Sequence, residues 1–169
     1  LSKAAAKRLP VDCQTLQHDN IQLPPARKNN SHKNDFGHVL VIGGDHAMSG
    51  AVHLAASAAL RCGAGVVSVC VHPDNYPIAA ARQAEVMVSI WPAIEAQLQR
   101  ASVVVIGPGL GQSVEAEQIL QRIAALELPL IVDADALTPQ FVSSLRSSSV
   151  VLTPHPGEAA RLLEKTSGQ

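Results

Sequence analysis

Aromatic residues are almost missing from this chain, at 2% of 169 residues: two Phe, one Trp and one Tyr. The hydrophobic fraction of 47% therefore comes mainly from Ala, Val, Leu and Ile, whose compact side chains let helices lie close on a sheet. Charge is also scarce, at 16%, and 13 Lys and Arg against 14 Asp and Glu leave a net charge of -1. That balance excludes a disordered polyelectrolyte and an electrostatic nucleic-acid binder. Cys13, Cys62 and Cys70 are odd in number and lack CxxC spacing, which argues against a disulfide framework or a zinc site. No apolar run reaches the roughly 18 to 20 residues of a membrane span. The basic start, Leu1-Ser2-Lys3, has no long apolar region behind it and does not read as a secretory signal. These absences point to the cytoplasm, and the length is that of a single domain.

Residues 1–36 are interrupted by Pro10, Pro24 and Pro25 and contain a polar, basic stretch from Arg27 to Asn34, the texture of a linker. From His38 the chain alternates short β-branched runs with Ala-rich or amphipathic segments. Strands are expected at 39–42, 66–71, 86–90, 103–106, 130–133 and 149–152. Helices are expected at 50–62, 94–100, 114–126, 139–145 and 157–165. The runs Val39 to Ile42 and Val103 to Ile106 are apolar on both faces, as in a parallel sheet covered by helices on each side. The expected fold class is α/β, a three-layer αβα arrangement with a mainly parallel central sheet.

Ligands of such folds sit at the carboxyl ends of the strands. Four informative segments follow predicted strands. Gly43-Gly44-Asp45-His46 runs on to Gly50-Ala51 and opens a helix, as either a tight turn or an anion-favouring terminus; with no Gly-Lys-Ser/Thr after it, it is not a P-loop. Gly107-Pro108-Gly109-Leu110-Gly111 imitates a dinucleotide fingerprint but has Gln112 where the third glycine belongs and Pro108 in the turn, so it reads as a rigid wall beside a ligand. Asp133 and Asp135 flank an alanine and suit a divalent cation, a hydroxyl group or a helix cap. In Thr153-Pro154-His155-Pro156-Gly157-Glu158, two prolines fix the direction of His155, and Glu158 falls in a first helical turn. Arg82 and Glu85 read as a surface ion pair, and His18, His38, His53 and His72 show no metal-ligand spacing.

These segments, with His32-Lys33, Phe36-Gly37-His38 and Leu60-Arg61-Cys62-Gly63-Ala64-Gly65, resemble the ADP/ATP-dependent NAD(P)H-hydrate dehydratases, which are ribokinase-like. The resemblance runs from about Leu9 to Glu164. It departs at Asn34, where glycine is usual, and at Thr138, where asparagine is usual. It implies phosphorylation of the added hydroxyl of NADHX or NADPHX at the expense of ADP or ATP with Mg2+, followed by elimination that restores NAD(P)H. It also implies hydrate contacts from Gly43, Gly44, Gly50, Ala51, Gly109, Gly111, Asp133, Asp135 and His155, and a magnesium-linked role for Glu158. The family's Lys-Gly-x-x-Thr and Gly-x-Gly-Asp segments, the latter carrying the general base, do not occur before Gln169. The domain is therefore expected to be incomplete at its C-terminus, spanning 37–169, with no catalytic base of its own. The stretch 1–36 resembles the connector to an upstream epimerase domain. A small-molecule nucleotide is the expected partner, with no nucleic acid and no membrane, and the family's assembly habit implies a homo-oligomer. A ribokinase-like vitamin or sugar kinase, or a non-catalytic nucleotide-binding module, are the alternative functions.

Overall fold

The computed structural model describes residues 26–164; most of the predicted linker, residues 1–25, lies outside them. The chain divides between Ser31 and His32 into two compact units, and the second is described here. Its strands are β1 (His38–Ile42), β2 (Val66–Val71), β3 (Met87–Ile90), β4 (Val103–Ile106), β5 (Leu130–Val132) and β6 (Val150–Leu152). They form one sheet in the order β3-β2-β1-β4-β5-β6, every pair parallel. The order reverses at β1, whose Ile42 is level with Cys70 on β2 and Ile106 on β4. The chain winds outward in both directions from β1 and β4, which leaves a crevice between the loops that follow these two strands.

Alternation sorts the strand residues between two cores. Leu40, Ile42, Val104, Ile106, Leu130 and Val132 pack under α3 (Ile94–Leu98), α4 (Val114–Ala124) and α5 (Pro139–Ser144), which contribute Ile94, Ile119, Leu120, Ile123 and Phe141. Val41, Val67, Val69 and Val71 face α1 (Ser49–Arg61) and α2 (Tyr76–Arg82) through Val52, Ala56 and Ala79. Small residues let these two helices lie close to the sheet. Cover on this second face thins towards β6. Val105 and Ile131 are half-buried and Val151, next in register, is exposed, so the expected burial of Val103–Ile106 on both faces is only partial among the described residues. A nine-residue helix, α6 (Pro156–Glu164), follows β6.

The expected strands and helices all form, with ends within a few residues of the predicted ones. Helix α2 was not expected: at seven residues with only Ala79 buried, it is too short for its periodicity to register, and Pro77 sits in its first turn, where proline is tolerated. It bears on the Arg82–Glu85 pair as well. The backbone leaves the helix at Gln83 in an extended conformation, which carries Glu85 off the helix face that presents Arg82, and no ion pair forms between them among the described residues. Thr138, in place of the usual Asn, caps α5 by accepting from the Phe141 amide at 3.3 Å, a role both residue types perform.

His38 ties three segments together. Its Nε2 lies 2.7 Å from Ser68 Oγ on β2, and its Nδ1 lies 3.2 Å from the Arg100 carbonyl. Burial holds its pKa below the usual histidine value of 6.5, and burial with the nearby Arg82 charge does the same to His53. The unfolded chain therefore takes up these protons first as pH falls. Their contribution to stability is present above pH 6.5 and is lost below it. Denaturant midpoints are expected to fall between about pH 7 and pH 5, and the decline should be shallower in a His38→Gln, His53→Gln double variant. An equally steep decline in that variant would contradict the assignment.

Candidate functional site

The loop after β1 is held by a complete set of backbone bonds. The amide of Gly43 donates to the Cys70 carbonyl at 3.1 Å, that of Gly44 to Pro108 at 3.1 Å, and that of Asp45 to Gly109 at 2.7 Å. The carbonyls are occupied too. Trp91 Nε1 donates to Gly43 at 3.1 Å, and the buried Asn75 side chain donates to both Gly44 and Asp45, at 3.0 and 2.7 Å. The loops after β1 and β4 thus close on each other across the crevice. Gly43 makes this approach possible, because a Cβ there would overlap the Pro108 carbonyl oxygen. Gly43 and Gly44 are buried with their polar groups spent on the protein. Ala51, Gly109 and Gly111 remain half-buried beside these loops, with Gly109 against the backbone of Met48 and near Ala51, whereas Gly50 faces Arg82.

The third loop is tied to the second. Asp135 accepts a hydrogen bond from the Gly111 amide at 2.9 Å, so its carboxylate serves a neighbouring loop rather than capping the helix after it. Gly107, at φ 119°, packs so closely on the Asp133 carbonyl that a Cβ would collide with it. Between the two aspartates, Ala134 adopts φ 46°, an unfavourable left-handed geometry for alanine. Asp133 points the other way along the sheet edge and accepts from Thr153 Oγ1 at 2.7 Å. The four loops are therefore linked in strand order by direct hydrogen bonds.

Thr153 begins the segment that carries His155. The His155 ring is set by more than its flanking prolines: Nδ1 accepts from the Gly157 amide at 3.0 Å, and Nε2 faces Glu158 Oε1 at 3.2 Å. Glu158 Oε2 in turn accepts from the His155 amide at 2.8 Å. These contacts fix the direction of the ring, whose side chain is 65% exposed. Glu158 is buried and acts first as the orienting partner of His155.

The structure also gathers residues that the sequence pattern does not single out. Asp45, His46 and His72 bring potential metal-ligand atoms within 4.8 Å of one another, with the two rings 4.0 Å apart and His72 edge-on to Trp91. These groups come from the ends of β1 and β2, and only the parallel register makes them neighbours. A cleft of about 450 Å³ lies beside them, lined by His72, Trp91, Ile94, Glu115 and Arg122 among others, and none of the predicted site residues borders it. Burial pushes the Cys70 thiol up to about 11, so it stays protonated and inert at neutral pH.

Two substitutions test the interlocking loops by chemical denaturation. Gly107→Ala combines a backbone clash with a left-handed alanine and should cost ~2–4 kcal/mol. Asp135→Ala strands the Gly111 amide and should cost ~1–3 kcal/mol, with Asp135→Asn retaining most of the stability because an acceptor oxygen remains. Unchanged midpoints in Gly107→Ala and Asp135→Ala would show that the loops move independently.

Residues 39–169 match the family model described as NAD(P)H-hydrate dehydratase. The bifunctional NAD(P)H-hydrate repair enzyme Nnr of Coxiella burnetii is 42% identical over 167 residues, covering 96% of this chain and 34% of that protein. The ADP-dependent (S)-NAD(P)H-hydrate dehydratase of Lactiplantibacillus plantarum is 38% identical over 144 residues, covering 80% of this chain and 52% of that protein. Among solved structures, the ADP/ATP-dependent NAD(P)H-hydrate dehydratase of Bacillus subtilis, co-crystallised with ATP/Mg2+, superposes with TM-score 0.69 at 30% identity, covering 86% of this chain and 56% of that one. A ribokinase-like superfamily protein from Enterococcus faecalis superposes with TM-score 0.74 at 33% identity, over 82% of this chain and 52% of that one. The chain thus spans about a third to a half of the length of these relatives. Its six-stranded parallel sheet, its interlocked loops and these matches agree: the chain belongs to the NAD(P)H-hydrate dehydratase family, with a ribokinase-like fold.

Proposed function

We propose that this chain supplies the hydrate-binding wall of an ADP- or ATP-dependent NAD(P)H-hydrate dehydratase, which returns NADHX or NADPHX to NAD(P)H. The observation that carries this reading is the hydrogen-bonded succession of four loops along one sheet edge, ending in a His155 oriented by Glu158. Ala51, Gly109 and Gly111 offer a close backbone surface to a flat ring. Asp133 and Asp135 stiffen that surface, and the exposed His155 ring edge contacts the hydrate. Positioning is the main requirement of such a reaction, since phosphorylation turns a poor leaving group into a good one and the nicotinamide nitrogen drives its departure.

Magnesium is commonly held by one or two carboxylates together with substrate phosphates and water. Glu158 supplies one carboxylate, each of whose oxygens already has a partner in the His155 residue. The remaining lone pairs fit a water-mediated contact. When bound, the ion neutralises phosphate charge. The general base lies outside the 169 residues in this reading, and the protein acts in the cytoplasm as a homo-oligomer, with an epimerase domain as its upstream neighbour.

The test combines activity and binding. The protein is incubated with NADPHX, ADP and Mg2+ while the near-ultraviolet absorbance of the dihydronicotinamide is followed, and hydrate binding by the 169-residue chain is measured by calorimetry. The chain should bind the hydrate, and His155→Ala should weaken binding about five- to tenfold, the loss of the ring's packing contact with the hydrate. Absence of both hydrate binding and dehydration would overturn the proposal.

A further inference from the structure

The side chains gathered at the ends of β1 and β2 have no part in the dehydratase reading. Asp45, His46 and His72 bring potential ligand atoms within 4.8 Å of one another, and Asp74 stands beside them. Its Oδ2 lies 3.3 Å from His46 Nδ1 and 3.8 Å from His72 Nδ1, so one carboxylate oxygen adjoins both rings.

The charge of Asp45 is left without compensation. The residue is only 5% exposed, and a carboxylate so deeply placed is normally paired with a cation or bound to a metal. Among the described residues no Lys or Arg forms an ion pair with it. Its Oδ1 accepts from the His46 amide at 2.8 Å, while Oδ2 has no hydrogen bond among the described residues. The atoms there that are both sealed from solvent and unpartnered are the two His53 nitrogens, so Asp45 Oδ2 is reachable from outside.

Two of the groups are held in place in advance. The Asp45 amide donates to Gly109 and its carbonyl accepts from Asn75. The His72 amide donates to the Gly44 carbonyl at 3.1 Å, its ring lies edge-on to Trp91, and only 17% of its side chain is exposed. His72 Nδ1 accepts from the Asp74 amide at 3.3 Å, a long contact that yields readily. His46 is the adaptable arm, with 63% of its side chain exposed. Directly after it Ala47 adopts φ 60°, the kind of backbone strain that gathers at ligand sites.

Two imidazoles and a carboxylate form a donor set for borderline transition metals, whereas Mg2+ and Ca2+ favour oxygen ligands. With bonds of about 2.1 Å, tetrahedral ligand atoms stand about 3.4 Å apart. The three groups therefore need to contract by no more than about 1.4 Å, a movement that rotation of the exposed His46 side chain supplies. The adjoining cleft of about 450 Å³, bordered by His72, has room for water in a remaining position.

We propose that Asp45, His46 and His72 form a binding site for a divalent transition-metal ion of the zinc type, with Asp74 steadying the two rings. Because Asp45 packs against Gly111, an ion here braces the loops after β1 and β2 against the turn after β4. The site is separate from any magnesium at the nucleotide. It is tested without hydrate or nucleotide, so its failure leaves the dehydratase reading untouched.

The experiment is calorimetric titration of the chain with Zn2+, in a Cys13→Ser, Cys62→Ser background that removes the thiols other than the buried Cys70. One equivalent should bind in the micromolar range, and excess Mg2+ should not displace it. His46→Ala and Asp74→Asn alter exposed side chains, so both variants should fold, and matching melting curves verify it. Each should weaken zinc binding about tenfold or more, the scale found for metal ligands and the carboxylates that support them. In labelled protein the ring nitrogens of His46 and His72 should shift on saturation, and those of His32 and His155 should not. The proposal is overturned if no Zn2+ binds at up to about 1 mM, the weak end of useful affinities, if Mg2+ displaces it, or if both variants leave the affinity unchanged.

Discussion

The bonds from the Gly44 and Asp45 amides to the Pro108 and Gly109 carbonyls are the constraint on which the rest of the site depends. A doubly wound sheet must open a crevice where its strand order reverses, and the loops on either side would ordinarily be free to separate. Here they are stitched together two and three residues beyond the strands. A Cβ at Gly43 has no space and a Cβ at Gly107 has none either, so the same glycines that make the motif recognisable make the closure possible. The next loops extend the seam, Asp135 reaching back to Gly111 and Asp133 reaching forward to Thr153. Four separate turns become one continuous wall.

This arrangement separates two tasks that glycine-rich loops often combine. Gly43 and Gly44 have no backbone donor left for a ligand, so they set position, while Ala51, Gly109 and Gly111 are only half-buried. His155 and Glu158 divide the work in a similar way: the carboxylate is buried and orients, and the ring is exposed. The strain at Ala134 falls at the hinge between two aspartates that serve opposite neighbours, where rigid surroundings can hold an unfavourable backbone.

Much of this was legible in the sequence, and the reasons differ by element. The apolar runs Val39–Ile42 and Val103–Ile106 announce parallel strands because both faces must avoid water. Helix α2 escaped notice because a seven-residue helix with one buried alanine carries no period to detect. The pair Arg82 and Glu85 was misjudged because spacing alone cannot tell that the backbone turns extended at Gln83. The site motifs were readable, but the partner of each was not: that Asp135 serves Gly111, or that Asn75 and Trp91 hold the carbonyls of Gly43 to Asp45, depends on which strands are neighbours. Likewise the orphaned His53 is one residue on an apolar helix face until packing shows that its nitrogens meet nothing.

The central claim is that the four strand-end loops form one rigid unit, and amide hydrogen exchange tests it most directly. Loop amides ordinarily exchange through local opening at little free-energy cost, whereas core strands exchange only through global unfolding. The amides of Gly44, Asp45 and Gly111 should exchange as slowly as those of Val41 and Val105 in β1 and β4, and all five should respond together to denaturant. Rapid, denaturant-independent exchange at Gly44, Asp45 and Gly111 beside protected strands would contradict the account.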